Sequence, residues 1–165
     1  LIQDTARWSV SKIRVVRGVG QASTAMGSYD TALADANLHN YNLIHISSVI
    51  PAEASIDMCE TAPQLGSAGD TLTVVQARKT IRTDSTAVAG LGWATGDGPG
   101  IFYEATGTTT ADVRDDIETG LTTGKTLRSW DLSSKETLIE KATGAAQQFT
   151  TVVVIAAYGT GNPIS

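Results

Sequence analysis

The stretch Asn42-Leu43-Ile44-His45-Ile46-Ser47-Ser48-Val49-Ile50-Pro51 decides how this chain is read. Leu43, Ile44 and Ile46 before a Ser-Ser pair, with Val49 and Ile50 after it, predict a short buried strand closed by proline. Two adjacent hydroxyls inside such a strand are costly unless each finds a partner. By periodicity alone, the pair fits a strand that kinks before Pro51, its serines bonded to nearby backbone.

Upstream, Tyr29, Ala32, Leu33 and Ala36 recur at i, i+3, i+4 and i+7, which predicts a helix with one apolar face. Ser28 is the expected cap, with Asp30 in the first turn. Before it, residues 8–19 alternate loosely and are β-branched, as a strand would be, and Gly18-Val19-Gly20-Gln21 is expected to end that strand. The Gly-x-Gly lacks a third glycine and no βαβ unit surrounds it, which excludes a dinucleotide fingerprint.

Downstream, residues 52–69 read as irregular. Strands are expected over 71–81, 86–93 and 101–105, the last apolar except for Glu104. A helix capped by Thr109 or Thr110 should run to about residue 122, with Val113, Ile117 and Leu121 four apart. Its Asp112, Asp115, Asp116 and Glu118 read as a solvated acidic face. Further strands are expected at 127–132, 137–142 and 148–158. The last is apolar enough to be central and covered on both faces, and the residues from 159 onward read as a frayed tail. About seven strands in hairpin-like succession with two helices give an α+β fold in one domain, 1–165.

Composition narrows the function. The chain has 165 residues, 41% hydrophobic and 5% aromatic, with net charge −5. An acidic balance argues against nucleic acid as a partner. No run of 18 apolar residues is present, so no membrane helix is expected. The opening Leu1-Ile2-Gln3-Asp4 lacks the basic and apolar regions of a signal peptide. The single cysteine, Cys59, excludes an internal disulfide and suits a reducing cytoplasm. Two histidines and one cysteine show no metal-ligand spacing.

The pattern Asn-x-x-x-x-Ser-Ser-x-x-Pro resembles the self-cleavage site of the pyruvoyl-dependent arginine decarboxylases. The resemblance implies that the chain breaks between Ser47 and Ser48, giving fragments 1–47 and 48–165, with Ser48 becoming a covalent pyruvoyl group. An unbroken chain with serine at 48 is then the proenzyme. Serine is suited to this because it offers a nucleophile and a β-leaving group together. Its Oγ attacks the carbonyl of residue 47, the amide becomes an ester, and elimination cuts the chain. Hydrolysis of the resulting dehydroalanine gives pyruvoyl and ammonia. An amino acid loses CO₂ only when a group can accept the electrons left behind, and no side chain does so. A pyruvoyl ketone captures the substrate amine and the neighbouring amide carbonyl draws those electrons, with no metal or pyridoxal phosphate.

The same resemblance assigns other residues. Asn42, six before Ser48, matches an asparagine implicated in processing, a donor to the developing oxyanion. Read by itself, it is equally an Asn closing the turn after the first helix. Glu104, in Gly100-Ile101-Phe102-Tyr103-Glu104-Ala105-Thr106-Gly107, matches the acid that reprotonates the α-carbon. Burial should raise its pKa; otherwise it is an outward-facing strand residue. Asp30, in Ser28-Tyr29-Asp30-Thr31-Ala32-Leu33, matches a substrate-binding aspartate suited to a guanidinium, and Leu33 could line the same pocket. Trp130-Asp131-Leu132 resembles a late strand of the family. His45, three before Ser48, reads as a sheet neighbour or an aid to proton transfer.

The family fold is a four-layer αββα sandwich with mainly antiparallel sheets. The resemblance implies a homotrimer or hexamer with active sites between subunits, and arginine, giving agmatine and CO₂, as substrate. Alternatives are another amino-acid substrate, or an unprocessed trimeric binding or scaffold protein. A serine hydrolase is disfavoured: no Gly-x-Ser-x-Gly elbow is present, and His39 and His45 both lie too near the serines in sequence.

Overall fold

The computed structural model describes residues 12–161, so positions 8–11 of the expected first strand and 162–165 of the expected tail lie outside the described residues. The apolar run near the C-terminus sets the architecture. In β9 (Phe149–Gly161), Val152, Val154, Ala156 and Tyr158 face one layer while Val153, Ile155 and Ala157 face another, all at most 4% exposed. A strand apolar on both faces must lie inside a sheet covered on both sides. It is the middle strand of a five-stranded sheet ordered β2-β5-β9-β1-β4. The members are β1 (Lys12–Ala22), β2 (Asn42–His45), β4 (Ser55–Met58) and β5 (Thr71–Arg82). A second sheet, β3-β7-β6-β8, joins β3 (Val49–Ile50), β6 (Thr86–Thr95), β7 (Gly100–Gly107) and β8 (Ser134–Thr143).

Three apolar cores separate four layers. Helix α1 (Ala25–Asp35) covers the first sheet through Ala32, Leu33, Val16, Leu72 and Ile155. The sheets face each other across Ile13, Val15, Leu91, Trp93, Phe102, Val154 and Tyr158. Helix α2 (Thr110–Thr126) covers the second sheet through Val113, Ile117 and Leu121. Each fully buried Val, Leu or Ile contributes roughly 1.5–3 kcal/mol relative to exposure. The result is the αββα sandwich; the sheets are mainly antiparallel, with parallel pairs β1–β4 and β2–β5.

Several expected boundaries are corrected. Gly18 and Gly20 do not end β1, which continues to Ala22. A Cβ at either glycine would strike the backbone of α1 near Ala32, so they let the helix lie close on the strand. The cap of α1 is Thr24, whose hydroxyl accepts from Gly27 N–H at 3.0 Å. Asp30 thus lies beyond the first turn and gains little from the helix dipole. Residues 52–69 are not wholly irregular, since β4 pairs there with β1. Residues 127–132 form no strand: α2 runs to Thr126, Leu127 is 74% exposed, Leu132 is buried and Trp130 packs beside it half-buried. The tail is no tail as far as Gly161, because β9 pairs with β5 to that residue.

Ser28, the expected cap, is instead buried inside α1 and donates to Ala25 O at 2.7 Å. Its one proton is thereby used, so it accepts from Thr151 Oγ1 (2.7 Å), and Thr151 in turn accepts from Thr80 Oγ1 (2.7 Å). This chain of hydroxyls joins the helix to β9 and β5. Thr151→Val keeps the shape, leaves the Thr80 hydroxyl without its acceptor and removes the donor to Ser28, which keeps its bond to Ala25 O. Thermal or denaturant unfolding should show a loss of about 1–3 kcal/mol.

Candidate active site

The stretch 42–51 is not one buried strand. Asn42–His45 form β2 at the outer edge of the first sheet, and Val49–Ile50 form β3 at the outer edge of the second. Ile44 and Val49 are 41% and 43% exposed, since an edge strand of this kind is covered on one side only. Alternation of apolar residues cannot distinguish one strand from two segments that change sheets between them.

Ser47 and Ser48 span the change of sheet. Ile46 N–H donates to Val74 O at 3.0 Å, tying the near end to the first sheet. Phe102 N–H donates to Ser48 O at 2.8 Å, tying the far end to the second. Ser47 is exposed and Ser48 half-buried. Among the described residues neither hydroxyl has a hydrogen-bond partner. The expectation that the serines bond to nearby backbone is therefore not met, and the Ser48 hydroxyl is left available as a nucleophile.

Glu104 lies on β7, two residues from Phe102 and hence on the same face of the sheet, at the rim of the layer between the sheets. Its side chain is exposed in the single chain, yet partial burial of the carboxyl raises its pKa above the ordinary value. The charge of His45, at the end of β2, acts in the opposite sense and more weakly. The fold thus brings Glu104 and His45 near each other from different sheets. Tyr103, on the opposite face, rests on Gly120 of α2, where any Cβ would collide with its ring.

Three sequence-derived assignments change. Asn42 lies at the far end of β2, and its amide donates to Gly69 O at 2.9 Å. Four extended steps, at roughly 3.3 Å each, separate it from Ile46. Within one chain it closes a turn and is no donor to the Ser47 carbonyl. Leu33 is buried in the core beneath α1, whereas Asp30 is exposed. Trp130-Asp131-Leu132 lies in a loop, where Asp131 accepts from Asp97 N–H and Ser133 N–H. Asp30 is exposed on α1, in an outer layer of the sandwich.

Sequence reasoning missed Tyr158. It is 4% exposed and its hydroxyl donates to Val49 O at 2.8 Å, one residue beyond Ser48. A tyrosine ending an apolar run was a signal for a buried hydroxyl seeking a partner, but the partner lies 109 residues away.

A serine hydroxyl without a partner among the described residues, at a crossing between sheets, has the chemistry to attack its own chain, and a carboxyl of raised pKa at the rim has the chemistry of a proton donor to a substrate. Comparison with known proteins agrees with that chemistry. The family model for pyruvoyl-dependent arginine decarboxylase (PvlArgDC) matches residues 12–163. A protein of Halobacterium salinarum named pyruvoyl-dependent arginine decarboxylase is 51% identical over 155 residues, covering 93% of this chain and 97% of that one. Proteins of the same name from Thermococcus sibiricus (27% over 143 residues, 82% and 88% covered) and Thermoplasma volcanium (39% over 70 residues, 42% and 38%) are also similar. The chain belongs to the pyruvoyl-dependent arginine decarboxylase family.

Membership makes it a decarboxylase, a carbon–carbon lyase, with a covalently bound pyruvoyl cofactor; neither a metal nor pyridoxal phosphate is implied. The residues at the crossing fit that group. Residue 48 is half-buried, and its carbonyl, which would become the amide carbonyl of the group, already accepts the Phe102 N–H. No helix among the described residues is long and apolar enough to cross a membrane.

Proposed function

We propose that this chain converts arginine to agmatine and CO₂ with a pyruvoyl group made from Ser48 by cleavage of the Ser47–Ser48 bond. The observation that carries this reading is the crossing itself: a serine pair tied at both ends to different sheets, with neither hydroxyl engaged among the described residues. The Ser48 Oγ attacks the Ser47 carbonyl, and the chain parts into 1–47 and 48–165. When present, the pyruvoyl group supplies the electron sink for loss of CO₂. Glu104, its carboxyl biased toward the neutral form, delivers a proton to the α-carbon. The mass of the chain tests the first step: it should fall from one 17.2 kDa species to two fragments.

Asp30 is the residue proposed to pair with the guanidinium. It sits on an outer helix while Ser48 lies between the sheets, and stacked layers are about 10 Å apart. One arginine does not span that path through a single chain. A neighbouring copy supplies Asp30 instead, and the assembly is a trimer or a hexamer. Ile44, Val49 and Tyr103, each 41–43% exposed around the crossing, offer apolar surface for that copy. A free Cys59 suits a cytoplasmic setting.

Asp30→Ala should raise KM for arginine roughly ten- to hundredfold, with a smaller effect on kcat. Mixing it with Ser48→Ala chains should restore part of the activity, because one chain brings Asp30 and the other the pyruvoyl group. Unchanged KM removes Asp30 from the pocket. No rescue on mixing removes the shared site.

A further inference from the structure

β9 pairs with β5 in an unbroken register from Arg82↔Phe149 to Val74↔Ala157; the next pair is Thr73↔Gly159. Tyr158 is skipped. It is the extra residue of a β-bulge, and the glycine after it has φ +135, a conformation that L side chains rarely adopt. A bulge re-aims a side chain and resets the alternation beyond it. The reset is visible in Thr160, which reaches Leu65 O on the helix side of the sheet (2.7 Å), although Tyr158, two residues earlier, faces the other sheet.

The bulge stands opposite Val74, whose carbonyl holds Ile46. From there the Tyr158 hydroxyl crosses the gap between the sheets to Val49 O. Its ring packs on Phe102 with centroids 6.1 Å apart, and Phe102 N–H holds Ser48 O. The segment it grips is weak by itself. β3 has two residues and pairs with β7 only through Val49↔Ile101 and Ile50↔Gly100. One side chain therefore links the strand that anchors the first sheet to the residue that follows the serine pair in the second.

We infer that Tyr158 is a positioning residue for self-cleavage: it fixes the separation of the two sheets where Ser47–Ser48 spans them, and so the approach of the Ser48 Oγ to the Ser47 carbonyl. The inference rests on cleavage at that bond. Attack on an amide carbonyl needs the nucleophile held close and aligned, and small losses of alignment cost large factors in rate. Removing the hydroxyl leaves the ring in the core but frees the Val49 carbonyl.

The test follows cleavage of freshly made full chain by intact mass, with each protein held equally far below its own Tm. Tyr158→Phe should cleave roughly tenfold more slowly than wild type or worse. Thr151→Val, which loses a buried hydroxyl of the same sheet far from the crossing, should cleave at the wild-type rate. Equal rates for wild type and Tyr158→Phe overturn the inference, as does a Thr151→Val chain slowed as much as Tyr158→Phe. A wild-type chain that never parts at 47–48 overturns the cleavage reading beneath it, a result distinct from the other two.

Discussion

Ser48→Ala should leave the chain whole and decarboxylation undetectable. Alanine has neither the oxygen that attacks the Ser47 carbonyl nor the β-leaving group that lets the ester eliminate, so both steps fail together. No other side chain replaces the electron sink. The fold should persist: Ser48 is held through its backbone carbonyl, by Phe102 N–H, and its hydroxyl has no partner among the described residues to lose. Unfolding curves of the variant and of freshly made wild type should therefore nearly coincide. Intact mass, a hydrazine test for a new carbonyl and CO₂ release from arginine measure the three losses. Cleavage that continues in the variant would sink the assignment of residue 48, and cleavage without CO₂ release in wild type would sink the substrate.

Glu104→Gln separates the second chemistry from the first. Glutamine keeps the size of the side chain and loses the proton it delivers. Turnover should fall by about 10²–10⁴-fold, the usual worth of a positioned acid, while cleavage to 1–47 and 48–165 proceeds. The pH dependence follows from the direction of the shift. Partial burial raises the pKa of Glu104, so the acid form persists to higher pH than in a free carboxyl, despite the nearby His45. Activity that depends on the acid should decline as pH rises through that raised value, and Glu104→Gln should remove this limb of the profile. The stability sign agrees: a carboxyl with a raised folded pKa favours the fold at low pH, and that contribution is lost as pH rises through the folded value. A wild-type profile whose high-pH limb survives in the variant would assign the acid elsewhere.

What the chain discloses in one dimension is set by the range of the interactions. β5, β6, β7 and β9 were legible because ten or so residues of steady apolar patterning leave few other readings. β3 and β4, with two and four residues, carry too little pattern, and they exist because partners far away in sequence hold them. Gly18 and Gly20 read as a stop but serve a close approach by α1, which only the packed helix reveals. Ser47, Ser48 and Glu104 were singled out through a family resemblance, and the geometry brings the serine pair and the acid to one edge of the molecule. Asn42 and Leu33 matched the same pattern and yet are engaged elsewhere, by Gly69 and by the core under α1. Spacing along the chain does not specify where an amide or a methyl finally rests. Tyr158 was invisible as a site residue because a bulge is a mismatch between two strands, and neither strand records it alone.

The strand order has a further consequence for the matured protein. β1 lies between β9 and β4, matched to β9 over nine consecutive residue pairs from Arg14↔Ala157 to Ala22↔Phe149. Breaking the 47–48 bond assigns β1, α1 and β2 to one polypeptide and every other element to a second. Neither piece can leave without tearing open the middle of a sheet, so the cut enzyme stays together. Once melted, it can reassemble only by the meeting of two separate molecules, in a reaction second order in concentration where the uncut precursor needs a single chain. Cleavage at that bond would therefore make the folding of each subunit, a one-chain reaction in the precursor, depend on how much protein is present.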